Sequence, residues 1–219
     1  MLTRPRDADH MNLAIFDIDG TLIDSNAVDN ECFLATFEVA FGIPAADVDW
    51  RDYRHHTDRG LTHEFLQRAW VRDPAEEDIA RHRTAFLGAL RRRITTLEEI
   101  RGARAFLAFL HERGWEVALA TGAWSESARL KLAAAGFPSD LPLACCDVWA
   151  SREQIVLGAI AGRTCDRIVV FGDGWWDVRT SRTLGLPFIG VGSNAIGAEE
   201  MIADFGDPED VLATMLRIS

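Results

Sequence analysis

Residues 12–24 read NLAIFDIDGTLID, and this stretch decides the fold. An apolar run ends in two aspartates, Asp17 and Asp19, with Gly20 directly behind them. Carboxylates at the edge of an apolar core repel each other and lose hydration, so a compensating group is needed. A bound cation is the simplest such group.

Short apolar runs rich in Val, Ile, Leu and Phe recur along the chain, with helical spacing between them. This alternation is typical of a parallel sheet with crossover helices, so the sequence predicts an α/β fold. After the first run, the predicted strands are 115–121, 167–173 and 186–192, with 141–146 as a candidate fifth. The predicted helices between them cover 97–114, 125–136 and 151–162, the last opened by Ser151 as N-cap.

The segment from Ser25 to Thr95 is different, because it carries helical periodicity and no convincing strand. Three helices are predicted there, so a helical insertion interrupts the α/β domain after its first strand. The resulting division is a tail at 1–11, a core formed by 12–24 and 96–219, and a helical domain at 25–95.

Composition limits the classes of partner. The chain has 219 residues, of which 48% are hydrophobic, and no apolar run approaches the roughly 20 residues of a membrane helix. Its net charge of −11 argues against nucleic acid, whose phosphates are bound mainly through clustered positive charge. The four cysteines show no CxxC spacing and are predicted to be free thiols, so we expect a cytoplasmic protein that binds neither membranes nor nucleic acid.

The residues that close the apolar runs carry the chemistry. Ligands of open parallel sheets bind beyond the carboxyl ends of the strands, so these residues should meet in one pocket. Several carboxylates gathered there are unfavourable unless a divalent cation joins them, and such oxygen ligands suit Mg²⁺. The closing residues are Asp17, Asp19, Thr121, Gly122, Asp173 and Asp177.

These motifs resemble those of the haloacid dehalogenase superfamily of phosphohydrolases. DIDGT (17–21) is similar to its first motif, LATG (119–122) to its second and FGDGWWD (171–177) to its fourth, in the right order. The resemblance extends from about residue 12 to the C-terminus and points to the phosphoglycolate phosphatase and β-phosphoglucomutase-like branch. It implies a Rossmann-like sheet with helices on both faces, and makes the insertion at 25–95 an all-α cap domain.

The resemblance also implies roles for single residues. Asp17 would attack phosphorus and form an aspartyl phosphate, while Asp19 would protonate the leaving oxygen and then deprotonate the attacking water. Gly20, Thr121, Gly122 and Arg152 would bind the phosphoryl group. Mg²⁺ would be held by Asp17, the main-chain carbonyl of Asp19 and Asp173, with Asp177 as a direct or indirect partner.

The third motif is where the sequence departs from the superfamily. A lysine is usual at the start of the helix before the fourth motif, and here WASREQIVLGAI (149–160) offers Arg152. Arginine keeps the charge but presents a planar fork of donors. Lys131, the only lysine of the chain, is predicted to be a solvated surface charge, as are the basic stretches at 81–83 and 91–93.

The cap is expected to carry substrate contacts. The stretch YRHHTDRGLTHEF (53–65) concentrates cationic side chains ahead of a helix that begins near Gly60. Facing the core, they would bind a leaving group that carries a carboxylate or a second phosphate, and otherwise they form a solvated polar loop. Trp175 and Trp176 either wall the pocket or only pack beneath the cap. The cationic residues concerned are Arg54, His55, His56 and Arg59.

The leading functional hypothesis is a Mg²⁺-dependent phosphatase that acts on a small phosphorylated metabolite. A sugar phosphomutase of the same superfamily and a phosphate-binding module without turnover remain as alternatives. A dehalogenase would leave Asp19 without a task, and a phosphonate hydrolase would need a cap lysine that the sequence lacks. A nicotinamide-binding protein is disfavoured because no G-x-G-x-x-G follows the first strand.

Overall fold

The computed structural model describes residues 11–45 and 48–219. The tail predicted at 1–11 therefore lies outside the described residues, except for Met11, which begins the first strand. The strands in the described part of the chain are β1 (Met11–Phe16), β2 (Trp115–Ala120), β3 (Leu143–Ala144), β4 (Cys165–Gly172), β5 (Phe188–Val191) and β6 (Glu200–Ile202).

These strands form one parallel sheet in the order β3-β2-β1-β4-β5-β6. The central strand β1 pairs with β2 on one side and β4 on the other. The carboxyl ends of these three strands are therefore neighbours, and the loops that follow them share one edge of the sheet.

The helices of the described residues are α1 (Asn26–Phe41), α2 (Asp58–Trp70), α3 (Glu76–Arg93), α4 (Ala103–Glu112), α5 (Ser125–Ala134), α6 (Arg152–Ile160), α7 (Trp175–Leu184) and α8 (Pro208–Ile218). Side chains alternate between the two faces of a strand. Ala14 and Phe16 of β1 accordingly enter a core formed with α4, α5 and α8. Leu13 and Ile15 enter a second core, formed with α6 and the helices of the insertion.

The insertion between β1 and β2 contributes to that second core through α1, α2 and α3. Its aromatic side chains, among them Phe33, Phe37 and Phe86, surround His82 of α3. Trp124, which lies just before α5, is fully buried against the same group. The insertion and one face of the sheet therefore share one hydrophobic cluster.

His82 contradicts the prediction of a solvated stretch at 81–83, because its side chain is fully buried. Its ring nitrogens are 3.0 Å from Thr36 Oγ1 of α1 and 3.2 Å from Thr62 Oγ1 of α2. Burial lowers the pKa of His82 to about 3, so the ring is neutral and joins three helices by hydrogen bonds. Helical periodicity alone does not distinguish a buried, hydrogen-bonded histidine from a solvated one.

Some helices and strands differ from the predictions. The helix predicted from residue 97 begins at Ala103, because Gly102 takes a left-handed conformation (φ +80°) and breaks the helical path. The candidate strand at 141–146 is reduced to Leu143–Ala144. The short edge strand β6 has no apolar run to reveal it, since Glu199 precedes it and Glu200 is its first residue.

In the part of the chain that the structure describes, no helix combines the length and apolar character needed to cross a bilayer. The four cysteines are free thiols, and Cys32 and Cys146 among them are buried.

Candidate active site

The loop after β1 turns sharply beneath the carboxyl edge of the sheet. Gly20 has φ +76°, and its amide donates to the carbonyl of Ile23 at 2.8 Å. A Cβ atom at position 20 would lie 2.1 Å from Asp173 Oδ2. Glycine is therefore required twice over, by the backbone conformation and by the close approach of that carboxylate.

Three aspartates converge at this edge, each offering a carboxylate oxygen within 4.8 Å of the others: Asp17, Asp173 and Asp177. All three are buried. Burial raises the pKa of Asp17 to about 7, and the pKa of Asp173 likewise to about 7 with a further contribution from the charge of Asp17. Burial also raises the pKa of Asp177, to about 6, against the opposing effect of Arg152. The fold has thus collected carboxylates whose charged forms need a positive partner.

Arg152 supplies part of that positive charge, at the place that the sequence predicted. It is the first residue of α6, whose N-cap Ser151 accepts a hydrogen bond from the Gln154 amide. One terminal nitrogen of Arg152 donates to Asp17 Oδ1 at 3.1 Å and to Asp177 Oδ1 at 2.7 Å. Its Nε donates to the main-chain carbonyl of His56 at 3.0 Å. One guanidinium therefore connects two carboxylates of the sheet edge with the insertion.

The cluster of three carboxylates is suited to bind a divalent cation. Asp173 Oδ1 is buried and has no hydrogen-bond partner among the described residues, whereas Asp173 Oδ2 accepts from Asn26 Nδ2 at 2.9 Å. A buried carboxylate oxygen without a partner is costly unless a cation contacts it. Hard oxygen donors from Asp17 and Asp173 are the ligands that Mg²⁺ prefers.

Thr121 and Gly122 follow β2 at the same edge. Thr121 Oγ1 accepts from the Ala123 amide at 3.1 Å, which closes a tight turn. A Cβ atom at position 122 would lie 2.7 Å from the carbonyl oxygen of His56, so the insertion packs directly on Gly122. The Asp58 amide donates to the Gly122 carbonyl at 2.8 Å and fixes this contact.

Lys131 is where the sequence prediction is wrong. Its side chain is 0% exposed, and its Nζ lies 2.6 Å from Asp19 Oδ2 and 2.6 Å from Asp29 Oδ1. The Ser25 hydroxyl donates to the other oxygen of Asp19 at 2.5 Å. A signal was present, because Lys131 falls three residues after the buried Ala128 and thus on the apolar face of α5.

Two acidic residues beside Lys131 were not predicted. Burial raises the pKa of Asp29 to about 6, with the ammonium of Lys131 acting in the opposite direction. Thr57 is the N-cap of α2 and accepts a hydrogen bond from the Gly60 amide, so Asp58 is not needed for that role. Asp58 is buried instead, and its Oδ2 accepts from the Trp124 amide at 3.0 Å. Burial raises its pKa well above the usual range.

A cavity of about 570 Å³ lies between the sheet edge and the insertion. Such a volume is typical of small-molecule sites. Its lining includes Asp19, Thr121, Gly122, Arg152 and Asp173. Asp17 lies next to it, buried against the Arg152 guanidinium. Trp175 and Trp176 line the cavity, so they wall the pocket.

The four cationic residues predicted in the cap are separated. His56 lines the cavity and stacks on Trp176 with the ring planes 9° apart. Arg54, His55 and Arg59 instead line a second pocket, of about 400 Å³. Arg59 pairs there with Glu76 at 2.6 Å. The four residues therefore do not face one site: His56 lines the cavity, whereas the other three share the second pocket.

A sequence profile of haloacid dehalogenase-like hydrolases matches residues 11–185. The chain belongs to this family. Family membership confirms the resemblance drawn from the three motifs, and with it the prediction of a hydrolase. No curated protein sequence matches the chain.

Solved structures confirm the predicted fold of this haloacid dehalogenase-like hydrolase. A hydrolase from Pseudomonas syringae has a TM-score of 0.77 at 22% identity, with 94% of this chain and 99% of that chain covered. CbbY from Rhodobacter sphaeroides in complex with phosphate has a TM-score of 0.67 at 21% identity, covering 90% and 96%. β-Phosphoglucomutase from Clostridium difficile has a TM-score of 0.71 at 16% identity, covering 94% and 98%.

Proposed function

We propose that this protein is a Mg²⁺-dependent phosphatase that hydrolyses the monoester of a small phosphorylated metabolite. The observation that carries the proposal is the meeting of Asp17, Asp173, Asp177 and Arg152 beside a cavity of metabolite size. Three carboxylates and one guanidinium close together suit phosphoryl transfer. Enzymes catalyse this reaction mainly by positioning the reactants and neutralising the charge of the phosphoryl group.

Mg²⁺ would be held by the carboxylates of Asp17 and Asp173 and by the main-chain carbonyl of Asp19. The Asp173 oxygen that has no protein partner supports this assignment. Asp177 completes the carboxylate set, with one oxygen accepting from Arg152 and the other from the Gly174 amide. The bound cation would neutralise negative charge on the phosphoryl oxygens during transfer.

Asp17 would act as the nucleophile. Its carboxylate oxygen forms a bond to phosphorus while the bond from phosphorus to the alcohol oxygen breaks, which leaves an aspartyl phosphate. Water then attacks phosphorus, the bond to Asp17 breaks, and inorganic phosphate leaves with Asp17 restored. Arg152, already hydrogen-bonded to Asp17, is placed to hold a phosphoryl oxygen in both steps.

Asp19 would move the protons. It would enter the first step protonated, give that proton to the departing alcohol oxygen, and regain one from the attacking water in the second step, which restores its starting state. In the structure its two oxygens are held by Ser25 and Lys131, and its side chain is 17% exposed where it lines the cavity. These contacts fix the carboxyl group at the cavity wall, where a leaving oxygen can reach it.

The insertion would serve as the cap. His56, Asp58 and Trp50 of the insertion line the same cavity as Thr121 and Asp173 of the sheet edge. A substrate bound there would contact both parts of the chain and be shielded from water, which strengthens the electrostatic interactions on which the reaction depends.

The test uses p-nitrophenyl phosphate with purified protein. We expect turnover with Mg²⁺, loss of turnover with EDTA, and none in Asp17→Asn. Asp24→Asn is the matched control, because Asp24 is an exposed aspartate of the same loop and is absent from the cavity lining. The absence of any Mg²⁺-dependent turnover over a broad panel of phosphate monoesters would refute the proposal.

A second readout follows the cation itself. Mg²⁺ that binds only the folded protein raises its stability by about 2.7 kcal/mol at 100 times the dissociation constant. We expect Mg²⁺ to raise the melting temperature of the wild type and of Asp24→Asn, and to have little effect on Asp173→Asn. An equal shift in all three proteins would place the cation elsewhere.

A phosphomutase is the second candidate, since β-phosphoglucomutase is among the structural neighbours. The two reactions share the aspartyl phosphate and differ in its acceptor, which is water in one and a second sugar hydroxyl in the other. Incubation with a hexose phosphate and analysis of the products by ³¹P NMR distinguishes them. Inorganic phosphate is expected, and an isomeric sugar phosphate would favour the mutase.

A further inference from the structure

Aromatic and aliphatic side chains form part of the cavity wall. Phe33, Trp50 and Leu61 come from the insertion, and Trp175 and Trp176 come from the start of α7. The indole of Trp50 is held in place by a hydrogen bond to Asn30 Oδ1 at 2.8 Å. This wall suits a leaving group with an apolar body.

Positive charge is scarce in the cavity. Among the described residues that line it, Arg152 is the only lysine or arginine, and it is already paired with Asp17 and Asp177. Arg54 and Arg59 face the second pocket. No lysine or arginine among the described lining residues is therefore unpaired and able to receive a negative group on the leaving alcohol.

Negative and hydrogen-bond-accepting groups are present instead. Asp29 and Asp58 line the insertion side of the cavity. Lys131 lies behind Asp29 and Asp19 and is shared between them, so its single charge offsets only one of two carboxylates. Apart from Arg152, the described lining residues thus carry no net positive charge.

His56 adds an acceptor and no charge. Its Nε2 lies 3.0 Å from the Trp50 carbonyl, which only accepts, so the ring proton is on Nε2. Nδ1 is then a lone-pair acceptor, and it is buried without a partner among the described residues. Burial lowers the pKa of His56 to about 4, which agrees with a neutral ring.

Given the proposed function, on which this step depends, we infer that the leaving group of the substrate is an uncharged or cationic alcohol with an apolar body. A carboxylate or second phosphate on the leaving group would lose its hydration beside Asp29 and gain no unpaired positive partner among the described lining residues. A hydroxyl or ammonium group would find acceptors, and an ammonium would also be attracted to the indole faces. The expectation of an anionic leaving group rested on a cationic cluster that the structure separates.

Three substrates that differ only in the para substituent test the inference: benzyl phosphate, 4-(aminomethyl)benzyl phosphate and 4-carboxybenzyl phosphate. Their kcat/KM values are compared at low ionic strength, where charge effects are largest. We expect the carboxylated ester to be at least about tenfold poorer than the other two, which corresponds to about 1.4 kcal/mol. A carboxylated ester that is turned over as well as or better than benzyl phosphate overturns the inference, while any Mg²⁺-dependent turnover in the series keeps the proposed function standing.

Two variants that introduce a lysine test whether the discrimination against the carboxylated ester arises in the cavity. Asn194 lines the mouth of the cavity, is exposed, and makes no side-chain hydrogen bond among the described residues, so Asn194→Lys adds a cation there without removing a contact. Val148 is 73% exposed and outside the cavity lining, so Val148→Lys adds the same charge elsewhere. We expect Asn194→Lys to raise the ratio of kcat/KM for the carboxylated ester over benzyl phosphate several-fold, and Val148→Lys to leave it unchanged. Equal ratios in both variants and the wild type would overturn the inference.

Discussion

The Nζ of Lys131 lies 2.6 Å from Oδ2 of Asp19, although the two residues are 112 positions apart in the chain. The ammonium is fully buried and also contacts Asp29 at 2.6 Å. A lysine without access to water is costly unless carboxylates pair with it, and here two do. The only lysine of the sequence is thus part of the interior, beside the carboxyl group that we propose moves the protons.

Lys131→Met should destabilise the protein strongly, because it leaves Asp19 and Asp29 without their positive partner. Breaking a buried ion pair costs about 3–5 kcal/mol. Urea unfolding measures the loss. The double variant Lys131→Met with Asp29→Asn should lose less than the sum of the single variants, because one of the stranded carboxylates is gone. Additive losses would show that the two residues do not interact.

Arg152→Met should lower kcat by about 10²–10³-fold, because it removes the donors that contact Asp17 and Asp177 and would hold the phosphoryl group. Arg152→Lys should fall between this variant and the wild type, since an ammonium keeps the charge but lacks the planar fork that also reaches the His56 carbonyl. Steady-state kinetics at saturating Mg²⁺ measures both. Arg163→Met, near the other end of α6, should stay near the wild type, and a similar loss in that variant would point to general damage to the helix.

Gly20→Ala and Gly42→Ala form a matched pair. Both glycines have positive φ, +76° and +67°, so the backbone conformation alone should cost each alanine about 1 kcal/mol of stability. At position 42 the new methyl group meets no atom of the described residues within 4 Å, whereas at position 20 it collides with Asp173 Oδ2 and Asn26 Nδ2. We expect Gly42→Ala to keep its phosphatase activity and Gly20→Ala to lose it. Full activity in Gly20→Ala would mean that Asp173 has no fixed position in catalysis.

His82 should make stability depend on pH. Its folded pKa, about 3, is below the usual 6.5 of histidine, so the folded state disfavours the proton that the unfolded state accepts. The stabilisation is complete above pH 6.5 and is lost progressively as the pH falls toward 3. From pH 6.5 to pH 5 this amounts to about 2 kcal/mol.

Urea unfolding of wild type and His82→Gln at several pH values checks this. The difference in unfolding free energy between the two proteins should shrink as the pH falls. His63→Gln, an exposed histidine of the same insertion, should run parallel to the wild type. A difference that stays constant between pH 7 and pH 5 would contradict a neutral, buried His82.

The sheet edge could be predicted from the sequence because its signals are local. Each apolar run ends in a polar or glycine residue, and the rule that ligands bind at the carboxyl ends of parallel strands brings these residues together. Arg152 was predicted from the resemblance to the family's third motif, which places a cationic residue at the start of this helix. Such features need only the order of the elements along the chain.

The surroundings of Asp19 could not be predicted, because they depend on side chains that meet only after folding. Lys131 looks like a solvated charge until its carboxylate partners, from the loop after β1 and from α1, are seen beside it. The prediction that the cationic residues of the insertion face one site was wrong for a related reason. Neighbours in sequence at the start of α2 face two different pockets, and no periodicity in a short loop reports that division.

The shared hydrophobic cluster of the insertion and the sheet has a consequence for protein engineering. Leu13 and Ile15 of β1 and the fully buried Trp124 belong to the same cluster as Phe33 and Phe86 of the insertion. A chimera that exchanges residues 25–95 for those of another family member would keep the loop junctions and still leave this indole facing unmatched side chains. Recombination at these junctions should therefore give soluble protein only when the residues around position 124 are exchanged together with the helices.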